Sequence, residues 1–376
     1  MSFSSTLLGN LTKIRTGKLD ANAANHGGEY PFFTCAREPL AINRYAYDCD
    51  AILVAGNGDL NVKHYKGKFE AYQRTYIIEV ASESKLDSRY LYYFMFKYVE
   101  KLRELSIGGV IKYIKLGMLT GAKIPLPPLS EQKRIAAILD KSDDIRRKRQ
   151  QAIKLTDESL RATFLDMFGD PVNNPKKWKL NKIDQVLAQI KAGWSAKGEN
   201  RAREPQEWGV LKVSSITSGR FLPEECKVVE SSRIKKAMVK PEKGDLLFSR
   251  ANTRELVAAT CLVERDYEKL FLPDKIWKMI PKENIACSEY LKFVLSNERF
   301  RDKIRKRATG TSGSMLNVSQ PKVKNMSIPV PPIKLQKIFS NILWQSYKVR
   351  NKFEKNIGKS LYLFNALTQR AFRGEL

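Results

Sequence analysis

The ten residues Ile124-Pro-Leu-Pro-Pro-Leu-Ser-Glu-Gln-Lys return about 200 positions later as Ile328-Pro-Val-Pro-Pro-Ile-Lys-Leu-Gln-Lys. A repeat of that period is a duplicated domain, because a solenoid repeat spans only about 20–50 residues. The correspondence continues on both sides. Ile138-Leu139 matches Ile342-Leu343, Ser88-Arg-Tyr-Leu faces Ser288-Glu-Tyr-Leu, and Asp50-Ala-Ile-Leu-Val-Ala-Gly-Asn faces Gly244-Asp-Leu-Leu-Phe-Ser-Arg-Ala-Asn. Even the glycine-rich segments align, Ile107-Gly-Gly-Val-Ile-Lys-Tyr-Ile beside Thr311-Ser-Gly-Ser-Met-Leu-Asn-Val. Whatever one half folds into, the other must resemble, and 376 residues suit two domains with connectors.

Each half begins with a mixed globular part. Runs Ala51 to Ala55, Thr75 to Val80, Gly209 to Val213, Asp245 to Phe248 and Ile276 to Ile280 predict short strands, being β-branched or large apolar and bounded by Gly, Asn or Asp. Helices over Tyr90 to Leu105 and Glu289 to Arg307 follow, so the class is α+β. The prolines at 125, 127 and 128, and at 329, 331 and 332, then forbid regular helix. Beyond each cluster the pattern predicts one long helix, Ser130 to Phe168 and Lys334 to Phe372, with Ser130 as N-cap and Glu131 complementing the dipole.

The apolar residues on these helices recur at three- and four-residue steps. Ile135, Ile138, Ile145, Ala152, Leu160 and Phe164 form one stripe, and Ile338, Ile342, Val349, Phe353, Ile357 and Phe364 the other. Such stripes suit a helix pair or coiled coil. At 1.5 Å per residue, about 40 residues give about 60 Å, longer than covering one domain requires, which favours a two-helix spacer. The expected boundaries are a globular part over 1–128, a long helix over 129–170, a second globular part over 171–329 and a second long helix over 330–376.

Charge then narrows the function. The chain carries +27 at pH 7, distributed through ordinarily hydrophobic sequence rather than a low-complexity tail. That excess points to a folded polyanion binder, nucleic acid ahead of ribosomal association or an acidic membrane surface, and double-stranded DNA is the partner expected once the sequence motifs are added. Residues 171–329 hold 32 Lys and Arg against 18 Asp and Glu, a net +14, whereas 129–170 holds 9 against 8 and suits protein contact. No run of about 18 apolar residues occurs, and the N-terminus lacks a signal-peptide pattern, so a cytoplasmic protein with no membrane association is expected. The five scattered cysteines read as reduced thiols, and His26, Cys35, Cys49 and His64 fit no zinc-finger spacing, so no metal site is expected.

Base reading needs Arg, Lys, Asn, Gln, Ser or Thr on loops held by strands. Ser249, Arg250, Asn252 and Arg254, directly after a predicted strand, form the best such cluster. Its counterpart in the first half contains Asn57 and Asn61 in a Gly-Asn-Gly-Asp-Leu-Asn run, which an ordinary Asn-Gly turn also explains. Lys212, Ser214, Thr217 and Arg220 form a further candidate loop. For phosphate, Lys303, Arg305, Lys306 and Arg307 crowd a helix end beside the hydroxyls of Thr311 and Ser314. The helix dipole alone would also favour cations there.

Catalytic motifs are missing. Gly193-Trp-Ser-Ala-Lys-Gly-Glu puts an acid where a phosphate-binding loop needs lysine, no G-x-G-x-x-G opens a helix after a strand, and no Asn/Asp-Pro-Pro-Tyr/Phe methylase signature occurs. No catalytic residue is assigned, and the chain is expected to recognise rather than react.

Ile124-Pro-Leu-Pro-Pro-Leu-Ser-Glu-Gln-Lys-Arg-Ile-Ala resembles the start of a helical region of type I restriction-modification specificity subunits. Gly17-Lys-Leu-Asp-Ala-Asn, Gly28-Glu-Tyr-Pro-Phe-Phe-Thr, Lys212-Val-Ser-Ser-Ile-Thr-Ser-Gly and Arg370-Ala-Phe-Arg-Gly-Glu-Leu are similar to other parts of that family, so the resemblance spans nearly the whole chain. It implies a pseudo-twofold subunit in which two α+β target-recognition domains are held apart by an antiparallel coiled-coil spacer, each reading half of a bipartite site. Partners implied are two methylation subunits using S-adenosylmethionine and restriction subunits using ATP and Mg²⁺ for translocation and cleavage. Lys334 and Leu335 stand where Ser130 and Glu131 stand in the first copy, so equal docking at both repeats is not implied. The rival reading is a DNA-recognition fragment of a single-chain restriction-methylation enzyme, against which the start and stop of the sequence count.

Overall fold

A computed structural model describes residues 3–310 and 315–376. The chain forms two compact units, Met1–Ala152 with Phe353–Leu376, and Ile153–Lys352. Both are α+β, and the division falls inside the two long helices, so each helix gives one part of its length to each unit.

In the first unit the central strand Tyr47–Ala55 pairs antiparallel with Val62–Ala71 on one side and Thr75–Val80 on the other, within a six-stranded sheet. Alternation along this strand explains its unbroken apolar run. Ile52 and Val54 join one core with the helix α1 (Ser88–Leu105), while Ala51 and Leu53 join a second core with Phe33 and Phe69. Asp87 caps α1 by accepting from the Tyr90 amide at 2.9 Å. The long helix α2 (Leu129–Phe168) starts one residue before the expected cap, so Ser130 lies inside its first turn.

The second unit repeats the plan with a smaller, four-stranded sheet, ordered Leu187–Ala192, Ile276–Pro281, Leu246–Ser249, Thr260–Leu262. Leu246 and Phe248 face one core and Leu247 another, the same alternation as in the first unit. The single helix expected over Glu289 to Arg307 is two, α3 (Ser288–Ser296) and α4 (Glu298–Arg305). Asn297 between them has extended backbone and accepts from the Phe300 amide at 3.1 Å, so it ends one helix and caps the next.

The helix α5 (Ile333–Arg373) runs antiparallel to α2 within each unit. In the first unit Arg134 Nη2 donates to the Leu376 carbonyl at 2.8 Å, and Arg149 donates to the Asn356 carbonyl at 3.0 Å and to the Ser360 hydroxyl. In the second, Phe164 lies 5.4 Å from Phe339 and Asp157 faces Arg350 at 3.8 Å. The apolar stripe expected along the pair is only partly buried. Ile135 is buried, Ile138, Ile342 and Phe353 are half-buried, and Ile145, Ile338 and Val349 are exposed. Asp143, Arg350 and Ser360, outside the expected stripes, are buried as well. Among the described residues no helix is long and apolar enough to cross a membrane.

Candidate nucleic-acid interface

The duplicated loops of the two units meet the same neighbours. In the first unit, residues 56–61 turn the chain between the strands Tyr47–Ala55 and Val62–Ala71. Gly58, with φ of +66°, makes the left-handed step and donates its amide to the Lys112 carbonyl at 3.0 Å. Asn57 and Ile107 both bridge to Tyr113, so the turn and the glycine-rich loop 107–113 form one surface. In the second unit Ala251 and Asn252 pair with Asn317 and Leu316, and Thr309 bridges to Asn317. Each unit thus presents a post-strand loop stitched to the segment that follows its helix.

Within these loops the candidate side chains differ in availability. Asn57 is half-buried on the turn, but Asn61 is committed to the fold, its Nδ2 donating to the Cys35 carbonyl at 2.9 Å and to the Asp59 carbonyl at 2.8 Å. Its Oδ1 accepts from Lys63, an ammonium that burial pushes below the ordinary lysine range. Ser249 is fully buried, so it has no surface to offer a base. Arg250 Nε donates to the Asp274 carbonyl at 3.0 Å, and Asn252 Oδ1 accepts from the next amide at 2.8 Å. Arg254 is exposed, and no carboxylate lies within ion-pair distance of it among the described residues.

The Lys212 group is a helical turn, Ser214–Thr217, rather than an open loop. Lys212 faces Glu225 at 3.5 Å and the Ser214 hydroxyl donates to the same carboxylate at 2.6 Å, whose pKa is lowered first by the hydroxyl and then by the ammonium. Thr217 and Arg220 line a recess in the second unit.

The basic helix end is also divided. Arg305 is 13% exposed and neutralised by Glu298 and by Asp302 at 2.7 Å, which removes it from the phosphate candidates. Lys303, Lys306 and Arg307 remain exposed, with no carboxylate at ion-pair distance among the described residues. Thr311 and Ser314 lie outside the described residues. Among those described, no three His, Cys, Asp or Glu side chains gather as a metal ion would need. His64 instead hydrogen-bonds Asp50 at 2.6 Å through Nε2 and meets Arg89 at 3.0 Å through Nδ1.

Two features lie outside the residues that the sequence singles out. Val110 is 105% exposed and Ile111 64%, an apolar tip beside Asn57 and Lys112. Their hydrophobicity within a glycine-bounded segment is the available signal. The second feature is a pair of buried glutamines. Gln132 Nε2 donates to the Lys85 and Pro127 carbonyls, each at 2.8 Å, and its Oε1 accepts from the Asp87 amide at 2.8 Å. Gln336 does the same to Ile285 at 3.0 Å, Pro331 at 2.8 Å and Cys287 at 3.1 Å. Both are fully buried, and both sit in the Gln-Lys pair that the duplication repeats.

Known proteins share this sequence pattern and this fold. The family model of the type I restriction modification DNA specificity domain matches residues 5–155 and again 175–362. The EcoDI specificity subunit of Escherichia coli is 47% identical over 133 residues, 35% of this chain and 29% of that protein. The EcoKI specificity subunit of E. coli K12 is 29% identical over 306 residues, 74% of this chain and 63% of that protein. The chain therefore spans less than two thirds of the length of these curated relatives. In fold, the type I restriction-modification S subunit from M. genitalium superposes with a TM-score of 0.64 at 15% identity, covering 99% of this chain and 96% of that one. With the family's domain matched along both of its halves, the chain belongs to the type I restriction modification DNA specificity family.

Proposed function

We propose that the chain reads a bipartite target in double-stranded DNA, one half-site per unit, and positions methylation and restriction subunits over it. The observation that carries this reading is the repeated loop surface, in which residues 56–61 meet loop 107–113 and residues 251–254 adjoin the Thr309–Asn317 bridge. Loops of this kind suit major-groove reading, where Asn and Arg make bidentate contacts and apolar side chains meet the thymine methyl. Asn57 with Val110 serves the first half-site, and Arg254 with Asn252 the second. Lys303, Lys306 and Arg307 hold phosphates and set register without reading sequence.

In this reading the chain performs no chemistry. Two methylation subunits supply S-adenosylmethionine transfer, and restriction subunits supply ATP- and Mg²⁺-dependent translocation and cleavage. The names of the matched relatives, specificity subunits rather than single-chain enzymes, support that division. Mapping methylated positions in the host genome with and without the gene tests it. Loss of one bipartite motif is expected; an unchanged methylation map overturns the reading.

A further inference from the structure

The duplication provides an internal control on α3. Ser88-Arg-Tyr-Leu and Ser288-Glu-Tyr-Leu fix the alignment, so Lys292 and Ser296 occupy the positions of Tyr92 and Phe96. In the first unit aromatic rings cover this side of the helix. Tyr92 lies 5.0 Å from Tyr93 and 6.3 Å from Phe96, and Phe96 meets the edge of Phe364 at 5.7 Å. The second unit has no such rings at these two positions. It has a recess of about 450 Å³, lined by Arg161, Arg220, Lys292, Arg301 and Arg350.

Two cations of this recess, Lys292 and Arg161, stand outside its ion pairs among the described residues. Its two carboxylates, Asp157 and Glu298, are already paired with other cations, Asp157 with Arg350 of the same wall at 3.8 Å and Glu298 with Arg301 of the same wall at 3.4 Å and with Arg305. Arg350 is paired further with Glu264 at 2.7 Å. Among the described residues no carboxylate lies within ion-pair distance of Lys292 or Arg161. Lys292 Nζ rests over the Phe293 ring at 4.5 Å, a weak substitute for a counter-ion. The Arg301 Nε is buried without a hydrogen-bond partner among the described residues. A sheltered cation beside other cations is unfavourable unless an anion completes it.

We propose that this recess binds a phosphoryl group, with Lys292 and Arg161 as its counter-charges and Ser296 supplying a hydroxyl. The volume lies within the range of about 300–1,000 Å³ typical of small-molecule pockets, so a mononucleotide fits as well as one phosphate of a DNA strand. The shared chemistry is the phosphate dianion or diester, and the source is settled by competition. Binding of a free mononucleotide is independent of the half-site reading, because it needs no duplex.

The test uses the full chain titrated calorimetrically with inorganic phosphate, with each of the four ribonucleoside monophosphates, and with a duplex lacking any target. Saturable binding is expected, weakened at least tenfold in Lys292→Met, which keeps the stem and removes the charge. Ser296→Phe, which installs the first unit's side chain, should block the recess sterically with Lys292 intact. Melting curves of both variants verify folding. Displacement of the mononucleotide by duplex, with duplex affinity lowered in Lys292→Met, assigns the group to the DNA backbone; binding indifferent to duplex assigns it to a free nucleotide. If folded wild-type chain binds none of these anions saturably, or binds them equally after both substitutions, the proposal is overturned.

Discussion

Tyr290 donates its hydroxyl proton to the Pro329 carbonyl at 2.7 Å, and Tyr90 makes the same bond to Pro125 at 2.9 Å. Prolines keep this segment out of a helix or a full ladder that would supply donors to its carbonyls, so side chains supply them. Tyrosine takes one carbonyl and the buried glutamine takes another, in both units alike. The junction between globular part and long helix is therefore a clamp, with α1 or α3 on one side and α2 or α5 on the other.

Removing either glutamine should loosen its own unit. Gln132→Ala and Gln336→Ala each strip three hydrogen bonds from a fully buried site and leave backbone groups unsatisfied. The expected loss is about 2–4 kcal/mol, since each orphaned buried group costs about 1–3 kcal/mol and some will find water. Hydrogen exchange should show it, with Gln132→Ala exposing α1 amides and Gln336→Ala exposing those of α3. Uniform loss of protection in both units would refute the clamp.

Lys292 makes stability depend on alkaline pH. Burial, with the charges of Arg161 and Arg350, brings its ammonium down to about 8. The groups around it are Asp157 and Arg161 on α2, Tyr347 and Arg350 on α5, Glu298 and Arg301 on α4, Arg220 on its loop and Cys261 in the sheet. Because the unfolded lysine titrates near about 10.4, the unfolded chain binds more protons between about pH 8 and 10.4, and stability rises with pH across that window. Below about pH 8 the penalty is constant. Lys292→Met should accordingly melt a few degrees higher than wild type at pH 7, with the gap closing toward about pH 10. A lower melting point at neutral pH, unchanged in alkali, contradicts this account.

Base and phosphate contacts should separate by their effect on sequence preference. Arg254→Ala is expected to cost about 1–3 kcal/mol and relax one position of one half-site. Lys306→Ala with Arg307→Ala should weaken every duplex alike and shorten the salt slope by about 0.9 for each phosphate no longer neutralised. If the exposed Val110 meets a thymine methyl as proposed, Val110→Ser should relax one position of the other half-site. Binding-site selection on each variant reads the outcome; an unaltered motif at normal affinity for Arg254→Ala removes that loop from the interface.

Much of the architecture is legible in the sequence because duplication and helix length are coarse, redundant signals. The strand Thr75–Val80 stands where the β-branched run puts it, and the long helices begin within one residue of the proline exit. The strand Val62–Ala71 is not legible, because Lys63, Lys66 and Lys68 break its apolar pattern. The break at Asn297 is hidden for a related reason. Ser296-Asn297 followed by Glu298 is a capping signal, but the run of apolar and basic residues on both sides masks it. Side-chain availability is least legible. Ser249 and Arg254 lie in one short segment with similar polarity, yet one is fully buried and the other exposed.

The helices offer a direct test of what sets the gap between the proposed half-sites. Both α2 and α5 pass from one unit to the other, α2 between Ala152 and Ile153, and α5 between Lys352 and Phe353. Four residues inserted beside Gln150-Gln151 lengthen α2 by about 6 Å, and nearly one full turn keeps its buried face close to phase. Four more after Lys352 lengthen α5 equally, so neither helix must bend to follow the other. With a DNA rise of about 3.4 Å per base pair, the unspecified gap between half-sites should grow by one or two base pairs while both half-sites stay the same. Binding-site selection by the chain, together with the methylation subunits proposed as its partners, measures this. An active insertion variant that keeps the original gap would show that the helices do not set the distance, whereas the paired insertion lengthening the gap more than the single one would show that they act together.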